Sequence, residues 1–291
     1  MSWSFAGTLA ACAGTAAKHG LNAVFGWIIQ HYYILIMKKV LVDLTIKEVK
    51  QVNDNCVLLV MGCDKPLPET FPGQFAELRI DSTPSVLLRR PISVHSFDAE
   101  KNEVGFLVQL VGDGTRWLGS LKVGDKVNTL MPLGNGFTLP ESAGKRYLLV
   151  GGGVGSAPLY YLAQELKARG CDFTILIGAR SAKDLYLREA YETLGRVEYT
   201  TEDATLGEKG YVTNHSVLGE KFDFIFTCGP KPMMLSVAKY ARESGIGCEV
   251  SLENKMACGL GACLCCVEDT KEGHKCVCTD GPVFSIDELK W

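Results

Sequence analysis

The chain has 291 residues, of which 47% are hydrophobic and 22% charged, and its formal net charge is −3. This is the composition of an ordinary globular protein, long enough for two domains and a small appendage. The balance lacks the strong basic excess expected of a nucleic-acid-binding protein.

Residues 1–36 differ from the rest. The run "LNAVFGWIIQHYYILI", Leu21 to Ile36, is apolar but interrupted by Asn22, Gln30 and His31. It is shorter than the roughly 20 residues a spanning helix prefers. It has no basic n-region or small-residue cleavage site, and no basic face that would hold it on a membrane surface. "MKKVLVDLTIKEV" reads as a chain start at Met37, so residues 1–36 are expected to be an extension outside the core. No membrane association is expected.

Residues 37–142 read as short strands. "KVLVDLTIKEV" and "NCVLLVMG" are rich in β-branched residues and partly alternate. "KPLPETFPGQFAELRI", "EVGFLVQLVG" and "DKVNTLMPLG" follow with turn residues between them. Strands at this spacing suggest a small antiparallel barrel. Residues 143–250 change pattern. "RYLLVGGGVGSAPLYYLAQELKARG" reads as strand, glycine turn and helix, with Leu159, Leu162, Ala163 and Leu166 on one helical face. "CDFTILIGAR" and "FDFIFTCG" read as strands, while "SAKDLYLREAYETLG" and "PKPMMLSVAKYARESG" read as helices. Alternation of strand and helix indicates a parallel α/β sheet.

Gly151, Gly152, Gly153 and Gly155 let the backbone approach a pyrophosphate at the following helix N-terminus. The spacing departs from the G-x-G-x-x-G fingerprint. The acidic residue expected after the second strand is missing, since that strand ends in Gly178-Ala179-Arg180.

Six of the twelve cysteines lie between Cys258 and Cys278. A local cluster in a chain of this size suggests a metal site rather than a disulfide scaffold. Cys258-x4-Cys263-x2-Cys266 has the plant-type [2Fe–2S] spacing, which needs one further thiolate. Zinc favours paired C-x2-C arms. Cys265 is expected to point away from the cluster, and spacing leaves Cys276 and Cys278 both open as the fourth ligand. Residues 251–291 are therefore expected to form a small [2Fe–2S] lobe.

"GVGSAP" resembles the G-x-G-x-x-P turn of the ferredoxin-NADP reductase superfamily. "PGQF" (Pro72–Phe75), "RRPIS" (Arg89–Ser93), "GDGT" (Gly112–Thr115) and "CGPKPMM" (Cys228–Met234) resemble its other landmarks, in the same order. Ile92 stands where that family usually has a stacking tyrosine. The resemblance implies an FAD site at Arg90, Pro91, Ile92, Ser93, Leu107, Val108, Gln109, Gly114 and Thr115. It implies an NAD site at Gly151, Gly153, Gly155, Cys228, Gly229 and Pro230. Arg90 has the donor fork suited to a diphosphate.

"MACGLGACLCC" followed by "CTDGPVF" resembles, more narrowly, the electron-transfer subunits of dihydroorotate dehydrogenase B. That resemblance implies an α+β multidomain chain, with an antiparallel β-barrel for FAD, a parallel α/β domain for NAD and the C-terminal lobe. It implies cluster ligands Cys258, Cys263, Cys266 and Cys278, the last standing before the Gly-Pro of "DGPVF". It further implies a cytoplasmic heterotetramer with an FMN-containing catalytic subunit, two of each chain. Electrons would pass from that FMN through the cluster and FAD to NAD+. No residue of this chain is expected to act as a catalytic group itself. Other readings are a reductase subunit linked to ferredoxin or a hydrogenase, in some relatives of which, as the resemblance suggests, aspartate replaces the first cluster cysteine, and a non-enzymatic redox sensor. Arg180 suits a 2′-phosphate, whereas the resemblance favours NAD.

Overall fold

The computed structural model describes residues 39–81, 85–140 and 144–291. The expected extension, residues 1–36, lies outside them. Among the described residues, no helix is long and apolar enough to cross a membrane.

Six strands close into a barrel in the order β1-β2-β5-β4-β3-β6. They are β1 (Val40–Asn53), β2 (Cys56–Gly62), β3 (Phe75–Leu78), β4 (Arg90–Asp98), β5 (Glu103–Gln109) and β6 (Lys126–Leu133). Every pairing is antiparallel. Side chains two apart share a face of a strand, so Val57, Leu59 and Met61 of β2 all point inward. They meet Leu44, Ile46, Ala76, Leu78, Val94 and Phe106 in one buried core. Where "GDGT" suggested only a turn, a short helix α1 (Asp113–Gly119) begins, bridging β5 and β6.

The second region is a seven-stranded sheet ordered β10-β9-β8-β7-β11-β12-β15. Its strands are β7 (Arg146–Gly152), β8 (Asp172–Ala179), β9 (Arg196–Thr201), β10 (Glu208–Lys209), β11 (Phe224–Cys228), β12 (Gly247–Ser251) and β15 (Val283–Ser285). All pairs are parallel except β12 with β15. Helix α2 (Ala157–Ala168) buries Leu159, Leu162, Ala163 and Leu166, the face read from the sequence. Expected helix "SAKDLYLREAYETLG" is reduced to a 3-10 turn, Ala182–Asp184, and a short helix α3 (Arg188–Glu192). Leu185 and Tyr186 are both buried, and Leu187 takes a left-handed φ of 54°, which ends any helix there. Helix α4 (Lys231–Ser244) places Pro232 in its first turn and ends on Gly245 at φ 67°.

The C-terminal segment returns to this sheet. β15 pairs with β12, and between them lie the cysteine loop and a hairpin of β13 (Val267–Thr270) and β14 (Gly273–Cys276). Cys266, Cys278 and Phe284 share a buried core with Val250, Leu252 and the barrel residue Phe75. Barrel and sheet are also joined by polar contacts. Tyr161 Oη donates to the Thr70 carbonyl at 2.7 Å, and Thr138 donates to the Glu249 carboxylate through N and Oγ1 at 2.9 and 2.6 Å.

Candidate functional site

A cavity of about 780 Å³ runs along the C-terminal ends of the sheet strands, where ligands of parallel α/β sheets bind. Gly152, Gly153 and Gly155 line its middle, after β7. Arg180 and Glu202 line one end and Pro230 and Glu253 the other. A Cβ on Gly155 would stand 2.5 Å from Gly229 Cα and 2.7 Å from the Cys228 carbonyl, so only glycine lets these two turns meet. Ser156 Oγ donates to the Gly153 carbonyl at 2.9 Å and closes the turn. Gly151 is buried at the end of β7. Cys228 is buried, and its thiol is pushed up to about 12 by burial and by the Glu253 carboxylate, against a hydrogen bond with Ser251.

The strand predicted to meet the flavin is β4. Phe75, Ala76, Glu77 and Leu78 pair with Ser93, Ile92, Pro91 and Arg90. Pro91, Ile92 and Ser93 are half-buried. The two arginines divide the work. Arg89 donates to the Glu77 and Asn128 carbonyls and to Asn128 Oδ1, so it ties the barrel. Arg90 uses only Nη1 on its own loop, toward the Leu88 and Arg89 carbonyls. Its Nε lies against Gly114: a Cβ there would come within 2.7 Å. Thr115 Oγ1 accepts from the Val111 and Gly112 N–H groups at 3.0 Å each and donates to the Gly112 carbonyl, which fixes the "GDGT" turn beside that guanidinium. Of the other predicted residues, Gln109 lines the cavity and donates to Tyr186 Oη at 3.2 Å. Leu107 packs with Ala157 and Tyr186. The Val108 side chain points into the barrel, leaving only its backbone for a ligand.

The cysteine loop is preorganised for anionic sulfur. The Leu260 N–H points at Cys258 Sγ (3.4 Å), the Gly261 N–H at Cys278 Sγ (3.1 Å) and the Cys278 N–H at Cys266 Sγ (3.4 Å). The Cys258 thiol is held down to about 6 by the N–H groups of Leu260 and Cys263, which favours the thiolate that binds metal. Cys258 neighbours Cys263, and Cys266 neighbours both Cys276 and Cys278. Among the described residues no group of three metal-ligating side chains converges as for a single ion. Cys276 also reaches Cys266, but its Sγ faces the Gly261 carbonyl at 3.9 Å rather than an N–H. Cys265 is exposed.

Two carboxylates carry no motif and escaped the sequence reading. Glu77 is completely buried beneath the cysteine loop, and both its carboxylate oxygens lack a partner. Burial raises its carboxyl to about 7, Arg89 opposing and Cys258 adding to the rise. Glu253 lines the same cavity just before the loop. Their neighbourhood comes from chain pairing that no local pattern discloses.

Residues 253–290 match the model of the iron-sulfur cluster binding domain of dihydroorotate dehydrogenase B, and residues 149–239 match an oxidoreductase NAD-binding domain. The electron transfer subunit of dihydroorotate dehydrogenase B (NAD(+)) from Shouchella clausii is 38% identical over 259 residues, covering 87% of this chain and 99% of that protein. The subunit of the same name from Caldanaerobacter subterraneus is 43% identical over 223 residues, covering 75% and 86%. A solved structure of an NADH-dependent reduced ferredoxin-NADP oxidoreductase shares the fold with a TM-score of 0.77 at 30% identity, covering 85% of this chain and 90% of that one.

Proposed function

Because the chain belongs to the family of dihydroorotate dehydrogenase B electron transfer subunits, we propose how its residues divide that task. It is an oxidoreductase subunit whose cofactors are FAD, a [2Fe–2S] cluster and NAD, and which serves a catalytic partner in pyrimidine biosynthesis. When bound, these cofactors supply the redox chemistry that carries electrons to NAD+. The chain positions and tunes them.

Arg90, with donors left free beside Gly114 and Thr115, holds the FAD diphosphate, and Pro91, Ile92 and Ser93 border the flavin ring. The backbone of Leu107 and Val108, with Gln109, continues that border. Gly151, Gly153 and Gly155 cradle the NAD pyrophosphate, and Cys228, Gly229 and Pro230 adjoin the nicotinamide. Cys258, Cys263, Cys266 and Cys278 hold the cluster. Cys278 is preferred to Cys276 because its sulfur receives an N–H, whereas a thiolate at Cys276 would face a carbonyl oxygen. The domains follow as residues 37–142 for FAD, 143–250 for NAD and 251–291 for the cluster.

The partner is an FMN-containing subunit that oxidises dihydroorotate, in a cytoplasmic heterotetramer of two of each chain. Leu260 and Leu264 stand 50% and 65% exposed on the cysteine loop, where a partner would cover them. Met256, by contrast, packs against the core below. The reading rests above all on a cysteine loop whose N–H groups are directed at the sulfurs of Cys258, Cys266 and Cys278. The ferredoxin-linked alternative is weakened by Cys258, which stands where some such relatives carry aspartate.

Reconstitution tests this reading. The isolated chain should pass electrons from NADH to an artificial acceptor without oxidising dihydroorotate. Mixed with the partner it should form NADH from dihydroorotate and NAD+. Dihydroorotate-dependent NADH formation by the isolated chain, or its absence from a stable, fully loaded mixture, rejects the proposal.

A further inference from the structure

The dinucleotide cavity is ordered by the sheet. Its lining follows the strand ends in sequence across the sheet: Glu202 after β9, Arg180 after β8, the glycine turn after β7, Pro230 after β11 and Glu253 after β12. Neighbouring strands are about 4.8 Å apart. A dinucleotide with its pyrophosphate at the central turn therefore extends one nucleoside toward β9 and the other toward β12.

Which half goes where follows from the barrel. Phe75 pairs with Ser93 of the flavin strand, and its ring lies beside Gly134, which packs on Pro282, the residue whose carbonyl accepts the Leu252 N–H just after β12. The flavin strand thus neighbours the β12 end of the cavity. Hydride transfer brings the nicotinamide to the flavin, so the nicotinamide half lies toward Glu253.

Glu253 is held there from both sides. The Leu252 N–H donates to the Pro282 carbonyl at 2.8 Å, and Asn254 Nδ2 donates to Glu268 at 3.0 Å. Nearby Lys231 already engages Glu268 at 3.2 Å. Glu253 is exposed to the cavity, no hydrogen bond or ion pair engages its carboxylate among the described residues, and it stands close enough to the buried Cys228 to help raise that thiol.

We propose that Glu253 selects the oxidised dinucleotide by charge: its carboxylate favours the cationic nicotinamide ring of NAD+ over the neutral ring of the reduced form. The proposal rests on the dinucleotide reading of this cavity. NAD+ accepts two electrons and one proton as hydride from the reduced flavin, and its ring charge falls from +1 to zero. The attraction to Glu253 disappears with that charge, so the same carboxylate that gathers substrate releases product. Arg180 and Glu202, at the opposite end, meet a nucleoside whose charge the reaction does not change.

The test is equilibrium binding to the protein loaded with FAD and cluster. Two ligands are compared: NAD+ and tetrahydronicotinamide adenine dinucleotide, whose neutral ring cannot donate hydride. Glu253→Gln should weaken NAD+ binding about fivefold, the effect of one partly screened charge pair, and move the neutral analogue less than about twofold. Glu253→Asp should keep the preference for NAD+. Glu202→Gln should shift both ligands alike. Equal changes for both ligands in Glu253→Gln, or no change in either, overturn the proposal while leaving the cavity a dinucleotide site. Failure of the unaltered protein to bind either ligand overturns the dinucleotide reading itself.

Discussion

Gly259 of the cysteine loop lies directly over Glu77 of the barrel. A Cβ on Gly259 would come within 2.9 Å of Glu77 Cγ and 3.0 Å of Leu133 Cδ1, and the residue has a φ of 65°. Gly259→Ala meets both obstacles. Its left-handed backbone costs about 1–2 kcal/mol, and the loop must lift from the barrel. Iron content and cluster absorbance per chain should fall by at least about half, while FAD content falls less. Full iron loading in the variant would show that the loop is not braced on β3.

Glu77 itself should make stability depend on pH. Its folded-state carboxyl is raised from 4.5 to about 7. A raised acid contributes stability that is complete below its unfolded value and is lost as pH climbs through its folded value. The loss amounts to about 3 kcal/mol at most. Glu77→Gln is neutral throughout and escapes it. Melting temperatures compared at about pH 5.5 and about pH 8.5 should therefore move in the variant's favour at the higher pH. A constant gap between the two proteins would contradict the buried, unpartnered carboxyl.

Serine scanning separates the two candidate fourth ligands. Cys278→Ser should lose or distort the cluster spectrum, because its buried sulfur pairs with Cys266 and receives the Gly261 N–H. Cys276→Ser should retain the spectrum. The opposite pattern in electron paramagnetic resonance would reassign the ligand.

Arg90→Ala should lower FAD content without unfolding the barrel, since Arg89, not Arg90, bonds across its strands. The lost charge-assisted contact corresponds to about 1.5–3 kcal/mol of flavin affinity. Flavin released on gel filtration measures it. Arg89→Ala should instead lower the melting temperature, and an unchanged flavin content in Arg90→Ala would make Arg90 a bystander.

Much of this arrangement was legible in the residues. Period-2 burial drew the barrel, the apolar face of α2 was readable from Leu159 to Leu166, and the cysteine spacing announced an iron-sulfur cluster. Local pattern failed where tertiary contacts override it. Leu185 and Tyr186 are buried on a segment that reads as helix, and Leu187 turns left-handed there. Glu77 and Glu253 belong to no motif, and their roles arise from which strands lie side by side. A two-residue alternation likewise could not rank Cys276 against Cys278; the proposed choice of Cys278 rests on the N–H and the carbonyl of Gly261, which the two sulfurs meet respectively at Cys278 and Cys276.

The antiparallel pairing of β12 with β15 has an architectural consequence. Residues 252–282 leave the sheet edge and return to the adjacent position, so topologically the cluster module is an enlarged hairpin connection. Its entry and exit are neighbours, as the Leu252 N–H to Pro282 carbonyl bond shows. Segments anchored in this way can be exchanged for a short turn without rethreading the rest of the chain. By connectivity the cluster module is therefore separable from the barrel and the sheet, every other strand keeping its place.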